Sequence, residues 1–140
     1  MVDDAPQGVI LRPDELPAAD RGGGAKTIPL VGPRIGATGF LNGITSFGPS
    51  AVIPLHKHNC EESVMLLEGH AIAEIDGVLH ELKPLDTTWI PADLPHRFIN
   101  ASSTEGMKIL WIYARTDATR TLIETGETRP VAAEHAKIAG

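Results

Sequence analysis

The stretch "LHKHNCEESVMLLEG" (residues 55–69) places two histidines one residue apart and then a glutamate pair inside a mostly apolar segment. In an extended strand the side chains at positions i and i+2 share a face, so His56 and His58 project together while Lys57 points the other way. Two imidazoles on one face can chelate a metal ion. The pattern therefore predicts a strand that carries part of a metal site.

A carboxylate and a third imidazole are available to complete such a site. If the chain turns at residues 59–61 and a new strand begins at Glu62, that carboxylate returns to the face of the histidines, and Glu61 is the competing candidate one register away. The distant stretch "PADLPHRFIN" (residues 91–100) places His96 at the start of another strand, after a turn shaped by prolines.

Three imidazole nitrogens and one carboxylate form a mixed donor set that suits one divalent transition metal ion, namely Fe, Mn, Ni, Co or Zn. An ion that prefers six ligands would keep two positions for water, oxygen or substrate, which is typical of a catalytic metal. The other histidines, His70, His80 and His135, lie on turns, a hairpin face or the tail and are expected to be exposed.

The composition favours an all-β chain with a single core. The chain of 140 residues contains 14 glycines and 11 prolines, and nine short apolar runs alternate with turn signals from residue 27 onward. Asp76-Gly77 can form a two-residue type I′ turn, which predicts an antiparallel hairpin.

We expect the chain to contain three segments: an irregular N-terminal arm over 1–26, a β-barrel over 27–116 and a tail over 117–140. The stretch "AAEHAKIA" in the tail could form a short C-terminal helix.

The charge and the cysteine content exclude several classes of function. The net charge is -6 without a Lys/Arg cluster, so the protein should repel nucleic acids and anionic lipid surfaces. No apolar run approaches the roughly 20 residues of a membrane span, and the N-terminal residues do not resemble a signal peptide. Cys60 is the only cysteine, so no intrachain disulfide can form and a cytoplasmic location is expected.

The two histidine-containing stretches resemble the cupin superfamily, whose motifs read G-x5-H-x-H-x(3,4)-E-x6-G and G-x5-P-x-G-x2-H-x3-N. The first matches from His56 to Gly69 with Glu62, rather than Glu61, at the correct spacing, and the second matches at Pro91, His96 and Asn100. Three motif glycines are replaced, by Ser50, Leu85 and Asp93, all at turn positions where loop shape would be affected.

This resemblance covers about residues 38–115 and implies a single-domain antiparallel β-barrel of jelly-roll type with the metal inside it. The implied ligands are His56, His58, Glu62 and His96. Cupin domains of this size commonly form homodimers, and the arm over 1–26 would be a natural element to exchange between subunits.

Strand alternation also predicts which side chains surround the metal. If His96 points inward, Phe98 and Asn100 do so too, and Val64 and Leu66 share the inner face of Glu62. On the strand "MKILWIYAR", two sets of side chains could face inward. One set is Ile109, Trp111 and Tyr113, which we favour, and the other is Leu110, Ile112 and Ala114.

An acid/base role for Tyr113 would require hydrogen-bond reach to the substrate. Cys60 is expected to be structural.

The function expected from these residues is that of a metalloenzyme acting on a small organic substrate. The mostly apolar lining favours oxygenase-like chemistry. The alternatives are a non-redox metal-dependent decarboxylase, isomerase or lyase, and a binding or sensing module that holds a metal or small ligand without catalysis.

Overall fold

A computed structural model of the chain describes residues 7–134. The described chain is built almost entirely from twelve β-strands, with two single-turn 3-10 helices and one short α-helix. The strands are β1 (Ala19–Gly22), β2 (Ala25–Pro29), β3 (Leu41–Phe47), β4 (His56–His58), β5 (Glu62–Glu68), β6 (Ala71–Ile75), β7 (Val78–Leu82), β8 (Thr87–Ile90), β9 (His96–Asn100), β10 (Met107–Tyr113), β11 (Thr119–Leu122) and β12 (Thr128–Pro130). The 3-10 helices are Pro13–Glu15 and Pro33–Ile35, and α1 is Val131–Glu134.

The strands form two six-stranded antiparallel sheets. One sheet has the order β1-β2-β3-β10-β5-β8 and the other β12-β11-β4-β9-β6-β7. The inner faces meet in one apolar core, in which β3, β5, β9 and β10 alternate strictly between buried and more exposed residues. This arrangement confirms the all-β, jelly-roll architecture expected from the sequence.

The two ends of the chain are more regular than the sequence suggested. Within the range expected to be an irregular arm, β1 and the first residues of β2 form a hairpin that extends the first sheet. Within the expected tail, β11 pairs with β4, the strand that carries the two histidines. The strands at both ends are short and lack clear alternation, so their own residues predict them poorly, and they are held by pairing with β2 at one end and with β4 and β12 at the other.

The turns explain how the chain tolerates its departures from the motif glycines. Asp76 and Gly77 both have positive φ (49° and 81°), which confirms the type I′ hairpin between β6 and β7. Ser50, Leu85 and Asp93 have φ values of 59°, 79° and 66°, so each adopts the left-handed conformation that glycine would adopt more easily. The loop shape is therefore kept at the expense of backbone strain.

The C-terminal helix is described only in part. The helix α1 begins at Val131, one residue before the expected "AAEHAKIA", and residues 135–140, including His135, lie outside the described residues. Over residues 7–134 no helix has the length and apolar character needed to cross a membrane.

Candidate metal centre

The strand β4 presents His56 and His58 to the interior. Both imidazoles are buried, whereas Lys57 between them is half-buried on the opposite face. The shared face predicted from the i, i+2 spacing is therefore observed. The two ring centroids lie 4.9 Å apart.

The third histidine arrives from the adjacent strand. In the pairing of β4 with β9, His96 lies directly opposite His56, and the two ring centroids are 4.5 Å apart. The centroid of His96 lies 5.1 Å from that of His58. The candidate ligand atoms of the three side chains all lie within 4.8 Å of one another, which is close enough for one ion to contact all three after small side-chain adjustments.

The orientation of each imidazole is set by a backbone carbonyl. A carbonyl oxygen only accepts hydrogen bonds, so each Nδ1 must carry the proton and each Nε2 keeps its lone pair for an ion. This is the tautomer that a metal ligand requires. The donor and acceptor pairs are His56 Nδ1 to Pro54 O at 2.7 Å, His58 Nδ1 to Thr119 O at 3.0 Å and His96 Nδ1 to Leu94 O at 2.9 Å.

Glu62, the first residue of β5, brings a carboxylate to the same point. Its Oε1 lies 2.9 Å from Nε2 of His96 and 3.6 Å from Nε2 of His58, and the side chain is buried. Glu61 is exposed and accepts a hydrogen bond from Nε1 of Trp89 at 2.9 Å. The structure therefore brings Glu62, and not Glu61, to the histidines.

Burial and mutual proximity shift the pKa values of these groups. Burial, reinforced by the neighbouring His96, Arg120 and His58, lowers the pKa of His56 well below its ordinary value. Burial also lowers the pKa of His58, against the opposing effect of Glu62. Both imidazoles are therefore neutral near pH 7, as metal ligands must be.

The carboxyl group of Glu62 has a pKa that is lowered overall. Burial raises the pKa of Glu62, but His58, His96 and a hydrogen bond from Tyr113 together outweigh the burial. The carboxylate form therefore persists in a buried site, where it offers a negative charge to a cation.

The unsatisfied atoms of this cluster fit a metal ion. Among the buried polar atoms that lack a hydrogen-bond partner within the described residues are Nε2 of His58, Nε2 of His96 and Oε1 of Glu62. Nε2 of His96 and Oε1 of Glu62 lie 2.9 Å apart, but neither atom carries a proton when His96 donates from Nδ1 and Glu62 is ionised. Buried polar atoms without partners are costly, and coordination of a cation would satisfy all three.

A small cavity of about 20 Å³ adjoins the cluster, which is room for about one water molecule or one ion. Of the predicted lining residues, Phe98, Trp111 and Tyr113 are in its wall, whereas Val64 and Leu66 are buried in the apolar core. The complete wall consists of Arg21, Thr45, Ile53, His56, Glu62, Phe98, Ile109, Trp111 and Tyr113.

The aromatic side chains of β10 face inward, as the favoured alternation predicted. Trp111 and Tyr113 are buried and stacked with ring centroids 5.1 Å apart, and the ring of Tyr113 lies 4.5 Å from that of His58. The Nε1 of Trp111 donates a hydrogen bond to Oγ1 of Thr45 at 2.8 Å. Both aromatic residues are therefore held at fixed positions beside the metal ligands.

Asn100 does not line the cavity, and its side chain instead binds backbone groups of neighbouring loops. Its Nδ2 donates to the backbone carbonyls of Gly48 at 2.9 Å and Glu105 at 2.8 Å, and its Oδ1 accepts from the backbone N–H of Ser102 at 3.1 Å. These hydrogen bonds connect the loop that follows β3 to the loop between β9 and β10. Alternation correctly predicted that Asn100 is buried, but its polar atoms are used by the backbone.

Cys60 is buried in the apolar core, and burial raises the pKa of its thiol. A raised pKa keeps the thiol protonated and unreactive at neutral pH. His70 and His80 are exposed, as expected from their positions on a turn and a hairpin.

Sequence reasoning missed Arg21, Thr45 and Ile53 as parts of the cavity wall. Thr45 could have been found, because it continues the alternation of buried residues along β3. Arg21 lies in the segment that was expected to be irregular. The one local indication of a hairpin there was the turn-forming "GGG" that follows it.

Comparison with known proteins agrees with this geometry. Residues 43–113 match the family described as Cupin domain. Over 72 residues the chain is 35% identical to dimethylsulfoniopropionate lyase DddW from Ruegeria pomeroyi, covering 51% of this chain and 46% of that protein. Over 94 residues it is 32% identical to polyketide synthase CurC from Streptomyces cyaneus, covering 66% of this chain and 60% of that protein. The chain thus spans roughly half the length of these curated relatives.

Among solved structures, the polyketide cyclase RemF from Streptomyces resistomycificus has the same fold. The two structures superpose with a TM-score of 0.72 at 20% sequence identity, covering 89% of this chain and 86% of that chain. At this identity the similarity concerns the fold alone.

Proposed function

Because this chain belongs to the cupin family, we propose that it is a metal-dependent enzyme that acts on a small organic substrate. One observation carries the proposal: three buried imidazoles with fixed tautomers and one buried carboxylate converge on a single point. The proposed metal ligands are His56, His58, Glu62 and His96. The ion would be a divalent transition metal, Fe, Mn, Ni, Co or Zn.

When bound, such an ion supplies Lewis-acid polarisation and a template for the substrate. The protein supplies the surroundings. The backbone carbonyls hold the imidazoles in position, and the apolar wall formed by Phe98 and Ile109 limits the access of water. Tyr113 is our candidate for proton transfer, because its ring lies in the cavity wall and its hydroxyl is hydrogen-bonded to Glu62.

For the reaction class we propose a non-redox, lyase-type reaction. The support is the 35% identity to a protein named as a lyase, together with the hydroxyl of Tyr113, which is hydrogen-bonded to the Glu62 carboxylate at the cavity. The second candidate is the oxygenase-like reaction predicted from the sequence. It is favoured by the apolar part of the wall, formed by Ile53, Phe98 and Ile109, and by a donor set that also suits Fe(II).

The metal proposal is tested by elemental analysis of the purified chain after reconstitution with each of the five metals. We expect one ion per chain. A chain that holds no stoichiometric metal after reconstitution would contradict the metalloenzyme proposal and the metal-sensing alternative together.

The reaction class is tested with the loaded protein, with and without oxygen. The substrates are dimethylsulfoniopropionate, taken from the relative's name, and a panel of enolic, phenolic and 2-oxo compounds. We expect turnover that continues under anaerobic conditions. Oxygen uptake in proportion to product would assign the oxygenase-like reaction instead, and ligand binding without turnover of any compound would favour the sensing module.

We also propose that two copies of the chain pair, as the sequence resemblance implies. Supporting this, apolar side chains are exposed on the edge strands of both sheets, with Leu79 on β7 and Trp89 on β8 exposed by 63% and 65%. Light scattering after gel filtration measures the mass directly, and a mass of one chain at micromolar concentration would refute pairing.

A further inference from the structure

A groove of about 370 Å³ lies beside the segment that joins β2 to β3, away from the metal centre. Six of its wall residues are apolar: Pro29, Leu30, Val31, Pro33, Leu41 and Ala132. Sites for small organic molecules have volumes in this range and mostly apolar walls with a few polar groups. Within residues 7–134, the groove and the cavity of the metal centre have no wall residue in common, so the groove is a separate site.

The backbone of this segment is held in place by its own hydrogen bonds. The N–H of Leu30 donates to the carbonyl oxygen of Asn42 at 2.9 Å, and the N–H of Asn42 donates to the carbonyl oxygen of Val31 at 2.9 Å. The 3-10 helix Pro33–Ile35 follows, and Gly36 ends it with a positive φ of 93°. A wall that is formed in advance lowers the entropic cost of binding a ligand.

Two groups of hydrogen-bond donors in the wall have no partner among the described residues. One is the guanidinium of Arg34, which is exposed. The other is Nδ2 of Asn42. Oδ1 of Asn42 accepts a hydrogen bond from the backbone N–H of Val31 at 2.9 Å, which fixes the orientation of the amide and leaves its two N–H groups available. No acidic side chain of the described part of the chain lines the groove, so the groove suits an occupant that offers acceptors and a negative charge.

We propose that this groove binds a small apolar molecule that carries one carboxylate. The Arg34 guanidinium pairs with both carboxylate oxygens through two parallel hydrogen bonds, and Nδ2 of Asn42 donates to one of them. The hydrocarbon part of the molecule packs against Leu30, Val31 and Pro33. A monocarboxylate matches the single positive charge of Arg34 better than a phosphate dianion does. This inference goes beyond the proposed function, because binding in the groove requires no metal ion.

The test measures the affinity of the full chain for octanoate and for its neutral analogue octanamide by isothermal titration calorimetry. Two variants alter the donors. Arg34→Gln removes the charge, and Asn42→Asp keeps an acceptor for the N–H of Val31 but replaces the amide donor with a negative charge. Arg12→Gln, which alters an exposed arginine outside the groove wall, is the matched control. The melting temperature and metal content of each variant are measured alongside, and NMR follows the Val31 N–H and the Asn42 side-chain amide during the titration.

We expect Arg34→Gln to weaken octanoate binding by about 5- to 10-fold, because a charge-assisted pair is lost at a partly exposed site. Asn42→Asp should weaken octanoate binding at least as much. Octanamide binding to Arg34→Gln and octanoate binding to Arg12→Gln should be unchanged. Equal octanoate affinity in Arg34→Gln and in the original chain would overturn the inference. If Asn42→Asp does not fold, Arg34→Gln and the NMR titration decide, and octanoate shifts confined to residues outside the groove overturn the inference.

Other occupants of the groove are distinguished with the same samples. Light scattering that finds two chains in the original protein and one in Arg34→Gln would make the groove an interface between copies. Nuclear Overhauser contacts to Val31 from residues 135–140, in place of contacts from octanoate, would make those residues the occupant. Either result overturns the inference. A chain that holds stoichiometric metal but does not bind octanoate overturns this inference and leaves the proposed function intact.

Discussion

His56 and His96, far apart in the sequence, are direct neighbours across the β4–β9 strand pair, with ring centroids 4.5 Å apart. The i, i+2 spacing on β4 accounts for only two imidazoles. The third arrives because β9 pairs with β4, and the carboxylate of Glu62 comes from β5 in the other sheet. The candidate site therefore joins the two sheets.

Removal of the third imidazole should separate metal binding from folding. We expect His96→Ala to lower metal occupancy sharply, because one ligand is lost, while the far-ultraviolet circular dichroism remains that of a β-protein. His80→Ala, which alters an exposed histidine on β7, is the matched control and should keep its metal. Equal metal content in both variants, measured after reconstitution, would show that the ligand set is wrong.

The stability of the metal-free protein should depend on pH through His56 and His58. Both have a pKa below the ordinary 6.5, so the unfolded chain binds protons more readily than the folded chain. The free energy of unfolding should therefore be constant above about pH 7 and fall as the pH drops below 6.5 toward the lowered pKa values. Urea unfolding at pH 7.5, 6.5 and 5.5 measures this slope.

The variant His56→Gln should reduce that slope, because one of the two contributing imidazoles is removed. His80→Gln should leave it unchanged, since His80 is exposed. A slope that is the same in His56→Gln and in the original protein would show that His56 does not carry the predicted pH dependence.

Leu85→Gly should stabilise the protein. Leu85 has a φ of 79° and is 70% exposed, so the side chain adds strain and contributes little packing. Relief of about 1–2 kcal/mol of left-handed strain exceeds the entropic penalty of about 0.5–1 kcal/mol for glycine. We expect a net gain of roughly 0.5–1 kcal/mol by urea unfolding. Leu79→Gly, at a similarly exposed site in β7, should instead destabilise.

Gly43→Ala should displace Trp111. A Cβ at Gly43 would clash with Cζ2 of Trp111 and lie 2.6 Å from the backbone oxygen of Ile28, which cannot move easily. Overpacking of this kind costs about 1–3 kcal/mol. We expect lower stability and altered tryptophan fluorescence. Gly39→Ala is the control, because nothing lies within 4 Å of its added Cβ, and equal stability of the two variants would contradict this packing.

Local patterns correctly predicted the central strands. The alternation of β5, β9 and β10, the shared face of His56 and His58, and the turn at Asp76-Gly77 depend on rules that act over a few residues. The same rules failed at β1, β11 and β12, which are short and weakly patterned. These strands are stabilised by their partners in the sheets rather than by their own residues.

The sequence by itself determined the fold class and the chemical types of the candidate ligands, since strand periodicity and motif spacing are local properties. Motif spacing also favoured Glu62 over Glu61. Only the tertiary structure decided that the Glu62 carboxylate lies 2.9 Å from Nε2 of His96, that the polar atoms of Asn100 are used by the backbone, and that Arg21 enters the cavity wall. Each of these outcomes depends on how the strands pair and on how the two sheets pack. A shift of one residue in register would turn the side chain to the opposite face.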